Sequence, residues 1–207
     1  MSIVKLNNNG VKNATAFGSI TTSGAMVFIK KLTASSSSTL SFVDGASSVV
    51  LDNTYKEYLF TFNNIHPATN STDFMFNLSI DSGSNYNVTK TSSYFRSFND
   101  EGVGDGVLRY ETTSDLAQGT GFQSLTRADL GNGDDEGCAG YIHLFNPSST
   151  TFVKHFIANI NSYHDSDYTF QSLIAGYANT TSAVDAVQFK MASGNIDAGD
   201  ICLYGIN

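Results

Sequence analysis

Val187-Gln188-Phe189-Lys190-Met191-Ala192-Ser193-Gly194-Asn195-Ile196-Asp197-Ala198-Gly199-Asp200-Ile201-Cys202-Leu203-Tyr204-Gly205-Ile206-Asn207 carries the pattern that decides the fold. Apolar residues alternate with polar or small ones on both sides of Ser193-Gly194-Asn195. That period of two belongs to half-buried strands, and the central glycine to a turn. The stretch reads as a strand pair whose second member runs to residue 207. A segment that closes inside a strand is expected to be tied into a sheet rather than to trail in solvent.

The same rhythm extends upstream. Tyr58, Phe60 and Phe62 point inward in a strand over 55–63, with Thr61 and Asn63 outward. Phe74, Phe76, Leu78 and Ile80 repeat the pattern over 74–80. Further strands are expected at 26–31, 32–42, 49–51, 94–98, 107–111, 140–145, 152–161, 170–177, 186–191 and 200–206. The run Ser35-Ser36-Ser37-Ser38 belongs on an exposed face or edge. Turn-rich linkers such as Asp81-Ser82-Gly83 and Gly131-Asn132-Gly133-Asp134-Asp135-Glu136-Gly137 separate the strands. No stretch sustains a 3.6-residue period, so helix should be scarce. The expected fold is all-β, a single jelly-roll-like antiparallel β-sandwich over residues 26–207. Residues 100–124 are the least regular part and read as a long loop.

Residues 1–25 form an extended amino-terminal arm, polar with scattered apolar positions. Lys5, Leu6, Asn7, Val11, Phe17 and Ile20 are its candidate assembly contacts. Two arrangements are open: packing along the domain's own sheet edge, or docking on a neighbouring subunit.

Only 14% of the 207 residues are charged, against the usual quarter, and Ser, Thr, Asn and Gly fill the gap. The polar surface is therefore made mainly of neutral hydrogen-bonding groups. A hydrophobic content of 41%, with 15 Phe and 10 Tyr, supplies enough burial to exclude disorder. A formal charge of −8 opposes nucleic-acid binding, which needs a basic patch. No segment approaches the ~18 apolar residues of a membrane span, and no signal-peptide pattern opens the sequence. Cys138 and Cys202 read as free, buried thiols.

Candidate chemistry is sparse. His66, His143, His155 and His164 match no zinc spacing, and neither cysteine clusters with them. His66, in Ile-His-Pro at a strand end, is placed to bond a turn backbone. His143 and His155 both face outward and are expected as cross-strand neighbours across the 146–151 hairpin. Gly102-Val103-Gly104-Asp105-Gly106 lacks the third glycine spacing of a nucleotide loop and a following helix. Asp134-Asp135-Glu136, with Asp129 nearby, offers oxygens to a calcium ion but departs from the EF-hand pattern. No catalytic residue, metal site or cofactor is assigned. For ligand contact the strongest loop is 161–168, where Asn161, Tyr163, His164, Asp165 and Tyr168 bring amide, aromatic and acid groups together. Tyr86, Tyr94 and Tyr110 are further candidates for stacking on a sugar.

Several segments resemble a family of small virion proteins of marine tailed phages. They are Leu40-Ser41-Phe42-Val43-Asp44-Gly45, Tyr58-Leu59-Phe60-Thr61-Phe62-Asn63-Asn64-Ile65-His66-Pro67, Gly140-Tyr141-Ile142-His143-Leu144-Phe145-Asn146-Pro147, the closing strand pair, and the 5–20 segment. These motifs are strand and turn signatures spread over nearly the whole chain, not catalytic ones. The resemblance implies a jelly roll, assembly with other virion proteins of capsid or tail, and a homotrimer. It also implies a location on the virion after synthesis in the host cytoplasm. The expected function is a non-enzymatic structural protein on the particle exterior, a capsid-decoration protein attached through its arm. The alternative is a tail-fibre or adhesin module binding a host-surface glycan or receptor. Neither reading involves nucleic acid or membrane insertion.

Overall fold

A computed structural model of the chain describes residues 25–102, 104, 106–127 and 130–207. Apart from Ala25, the arm expected at residues 1–25, including Lys5, Leu6, Asn7, Val11, Phe17 and Ile20, lies outside the described residues. The described chain forms twelve strands and no helix. They are β1 (Met26–Thr33), β2 (Leu40–Val43), β3 (Glu57–Pro67), β4 (Phe74–Ser79), β5 (Lys90–Asp100), β6 (Val107–Tyr110), β7 (Gln123–Ser124), β8 (Cys138–Phe145), β9 (Lys154–His164), β10 (Tyr168–Ala178), β11 (Ala186–Met191) and β12 (Ile196–Ile206).

Two antiparallel sheets make a sandwich. The larger has eight strands in the order β1-β12-β3-β8-β9-β10-β5-β6, and the smaller four in the order β2-β11-β4-β7. The closing pair read from residues 187–207 is split between them, with β11 central in the small sheet and β12 between β1 and β3 in the large one. The turn that joins this pair therefore links the two layers instead of closing a hairpin within one sheet. The Ala25 carbonyl accepts the Asn207 amide at 3.0 Å, so the chain enters the sandwich at the edge of the large sheet.

Strand alternation places one face of each sheet in a shared core. Tyr58, Phe60 and Phe62 of β3 are buried, as the period of two requires. Phe74, Phe76 and Leu78 of β4 meet them from the small sheet, together with Phe189 of β11. The Phe189 ring lies within 5.2–6.4 Å of the rings of Phe42, Phe60, Phe62, Phe74 and Phe76. Such pairs add ~0.5–1.5 kcal/mol each beyond area burial.

Several expectations need correction. Ile80 is 43% exposed, because β4 ends at Ser79 and the Asp81-Ser82-Gly83 turn has already begun. The strand expected over 32–42 is broken: β1 runs to Thr33, and β2 starts at Leu40. Between them the serines are mostly exposed, and only Ser37 makes a bridge, to Ile196. Val49 and Leu51 are buried without forming a strand. Cys138 is a free buried thiol, whereas Cys202 is free but only half-buried. Within the irregular 100–124 stretch the strand expected at 107–111 is present as β6, and the two-residue β7 is an addition that the sequence reading lacked.

Irregularities in β3 and β12 are matched. The register shifts between Phe62 and Ile65 on one strand and between Ile196 and Asp200 on the other. Asn64 there has φ 49°, and Gly199 has φ 117°, in the region that disfavours side chains. A β-carbon at Gly199 would also strike the Asn64 and Ile65 backbone, so the paired bulges require glycine.

The core holds charge as well. Lys90 is fully buried and donates to Asn77 Oδ1 and, at 2.8 Å, to the Val88 carbonyl, both neutral acceptors. Burial disfavours its ammonium form and pushes its pKa down to about 7.

Replacing Phe60 or Phe76 by Ala should cost ~3–5 kcal/mol in urea unfolding, the range for truncating a buried phenylalanine. A cost below about 1 kcal/mol would mean that these rings do not bridge the layers. Lys90 also sets a pH dependence. As pH falls from about 10 to 7 the unfolded chain protonates this side chain first, so stability declines. From pH 7 to 9, below the titration of most tyrosines, stability should rise by up to about 1.4 kcal/mol per pH unit. Unfolding of Lys90→Met should lack that rise; the same slope in the variant would assign it to another group.

Candidate functional site

Because the inner face of the large sheet carries Ile142, Leu144, Phe156, Ala158, Ile160, Ile174 and Tyr94, the intervening residues of β8, β9, β10 and β5 face outward. β6 extends this outer face at the sheet edge. Antiparallel register aligns one outward row across five strands: Tyr110 opposite Phe95, Phe95 opposite Leu173, Leu173 opposite Asn159, and Asn159 opposite Tyr141. The Phe95 and Tyr110 rings meet edge to face at 5.1 Å. A neighbouring row sets Ala175 opposite Ile157 and Ile157 opposite His143.

No outward position on these five strands is Asp, Glu, Lys or Arg. Large apolar side chains stand exposed there, among them Phe95 (44%), Leu173 (44%) and Ile157 (50%). Amides fill the spaces between them. Gln171 donates to Asn159 Oδ1 at 3.2 Å, and Asn161 donates to the Thr169 hydroxyl at 3.0 Å and the Phe170 carbonyl at 2.9 Å. Charged side chains reach the outer face from its margins: Lys31 pairs with Asp200 at 3.1 Å, Glu57 pairs with His143, Asp115 accepts from the Tyr110 hydroxyl, and Asp167 accepts from the Tyr163 hydroxyl at 3.3 Å.

At one end of the face a cleft of about 600 Å³ opens between Asn64 and His66 of β3, the 134–137 turn, Ala139 of β8, Asn161 and Tyr163 of β9, and Asp197 of β12. His66 Nε2 bonds the Gly133 carbonyl at 3.0 Å, as its strand-end position led us to expect. The Glu136 carboxylate accepts the Gly133 amide. Both side chains thus shape the turn. Desolvation, followed by the nearby Glu101 and Asp167 carboxylates, pushes the Tyr163 hydroxyl up to about 12, so it stays a hydrogen-bond donor. The cleft therefore presents amides, a phenol and carboxylate oxygens.

The candidate ligand loop is redistributed by the fold. Asn161, Tyr163 and His164 belong to β9, Tyr168 belongs to β10, and only residues 165–167 connect them. Asn161 and Tyr163 line the cleft, while His164, Asp165 and Tyr168 do not. His164 projects from the opposite side of β9 against Phe170, with ring centroids 4.8 Å apart, and its Nδ1 lies 2.8 Å from Asp165 Oδ1. Tyr94, named as a sugar platform, is fully buried and bonds the Ser172 hydroxyl at 2.6 Å. Nor are His143 and His155 cross-strand partners: Ile157 is opposite His143, whose Nδ1 instead meets Glu57. His155 lies beside Tyr177. Among the described residues, no group of three or more His, Cys, Asp or Glu side chains converges on a point that could hold a metal ion. Asp129, grouped with the acidic turn in the calcium reading, lies outside the described residues.

One cluster escapes sequence reasoning. Arg96 and Glu111 are both buried and paired, and Arg109 and Arg127 reach the same carboxylate at 2.6 and 3.2 Å. The Arg96 guanidinium also lies over the rings of Phe98 (5.1 Å) and Phe170 (4.7 Å). Burial alone would raise the Glu111 pKa, but the guanidiniums outweigh it and hold the carboxyl below its ordinary value. The cluster fastens the β6–β7 connection to the large sheet. No sequence spacing announces it, because Arg96 stands on an inward position that periodicity assigns to an apolar residue.

In comparisons with known proteins, the chain matches no family model, and no curated protein or solved structure is significantly similar to it.

Proposed function

We propose that this chain is a non-enzymatic structural protein on the exterior of a phage particle, a capsid-decoration protein held there by its amino-terminal segment. In this reading the outer face of the eight-stranded sheet packs against a neighbouring protein. The observation that carries it is the absence of charged side chains at outward positions across five strands of a chain with net charge −8. Depletion of charge with enrichment of aromatics marks the buried centre of protein interfaces. Exposed Tyr110, Phe95 and Leu173 are consecutive cross-strand neighbours, and a contiguous apolar patch marks a contact. The phage setting comes from the sequence resemblance; the homotrimer that it also implies is not part of this reading. The role given to residues 2–20 comes from the sequence reading of that segment as an assembly arm.

The experiment is add-back of purified protein to particles that lack it. Deleting residues 2–20 should leave the melting transition unchanged and reduce particle-bound protein at least tenfold. Undiminished decoration by the truncated chain would remove the attachment role.

A second reading, an adhesin module for a host-surface glycan on a tail fibre, is favoured by the cleft beside Asn161 and Tyr163. Amide, phenol and carboxylate groups suit sugar hydroxyls. On a glycan array, binding that is lost in Tyr163→Ala would support this reading; no binding by the intact protein would count against it.

A further inference from the structure

We infer that the neighbour covering the outer face of the eight-stranded sheet is a second copy of this chain, packed face to face about a two-fold axis. The inference rests on the reading of that face as a protein contact and names its occupant.

Charge is the first argument. Two copies that each carry −8 repel one another over most of their surfaces. The outward positions of β8, β9, β10, β5 and β6 carry no Asp, Glu, Lys or Arg; carboxylates reach the face only at its margins, where Asp115 accepts from Tyr110, Asp167 accepts from Tyr163 and Glu57 meets His143, so repulsion between two such faces is confined to the rim.

Self-complementarity is the second. In a two-fold contact each group must be acceptable to its own kind. Carboxylates fail this condition, whereas amides meet it, because each carries donors and an acceptor. Asn159 interrupts the row of Tyr110, Phe95, Leu173 and Tyr141 between Leu173 and Tyr141, and Gln171 bonds to it from the neighbouring row, so the face offers such groups among its apolar side chains. The composition also separates protein from saccharide. Leu173 and Ile157, near the middle of the face, offer no flat surface for a sugar ring but pack well against a matching apolar row.

Size is the third. Three strands of 11 residues, one of 8 and one of 4, about 4.8 Å apart, cover on the order of 700 Å². That approaches the ~800 Å² per partner of a standard stable interface.

The test is sedimentation velocity of the intact chain from 1 to 100 µM, with Leu173→Glu, Ile157→Glu and the uncharged control Leu173→Gln. The wild type and Leu173→Gln should form a dimer. Either glutamate should weaken association at least 100-fold while leaving the melting transition in place, since both positions are about half exposed. A monomer at 100 µM, a trimer, or a dimer indifferent to both glutamates would overturn the inference. So would a monomeric wild type that dimerises only when residues 1–24 are deleted, which would show that segment covering the face within one chain. Binding of a soluble neutral polysaccharide by a monomeric wild type, lost in Leu173→Glu, would reassign the face to a glycan. Particle add-back separates the two levels. A dimer that does not decorate particles sinks the particle reading alone, and a monomer that decorates them sinks the two-fold contact alone.

Discussion

The sandwich depends on one ring. Phe189, central in the smaller sheet, contacts aromatic side chains from both layers: Phe42, Phe74 and Phe76 beside it, and Phe60 and Phe62 opposite. A four-stranded sheet covering an eight-stranded one has little area with which to hold its position. Large rings meeting edge to face concentrate the attraction and also fix the distance between layers. The strands that carry them, β3, β4 and β11, are the ones whose alternation is clearest.

Around this centre the core turns polar toward the β5–β7 side without leaving groups unpaired. No buried side-chain nitrogen or oxygen among the described residues lacks a hydrogen-bond partner. Lys90 is held by neutral oxygens, Arg96 by Glu111 and two aromatic faces, and Tyr94 by the Ser172 hydroxyl. These groups specify which segments lie over the sheet end, at a cost in desolvation that apolar residues would not incur. The arrangement is thus apolar where the layers must stay together and polar where connections must be placed.

What was legible follows from what is local. The faces of Tyr58, Phe60 and Phe62 and the exposed serine run depend on nearest neighbours and are readable from spacing alone, whereas for His66 the strand-end position suggests a turn contact but not its distant partner, Gly133. Ile80 was misplaced because a period of two cannot show where a strand stops. The outer face was not legible at all, since its rows join residues as distant in sequence as Tyr110, Phe95, Leu173 and Tyr141. Its lack of charge becomes visible only after register has aligned the strands. The candidate loop is divided for the opposite reason: adjacent residues such as Tyr163 and His164 lie on opposite sides of one strand, so neighbours in sequence meet different surroundings.

The position of β12 bears on how the chain reaches this structure. β1 and β3 do not touch each other in the sheet; each pairs with β12, which lies between them. During synthesis, β3 ends at Pro67 and β12 begins only at Ile196. At roughly 5–20 residues per second, that interval is on the order of ten seconds. Throughout it, the emerging polypeptide holds two strand edges that have no native partner yet, and the sheet closes in one late, long-range step. A pause in translation within this interval would prolong the exposure, making the nascent chain a natural client for chaperones.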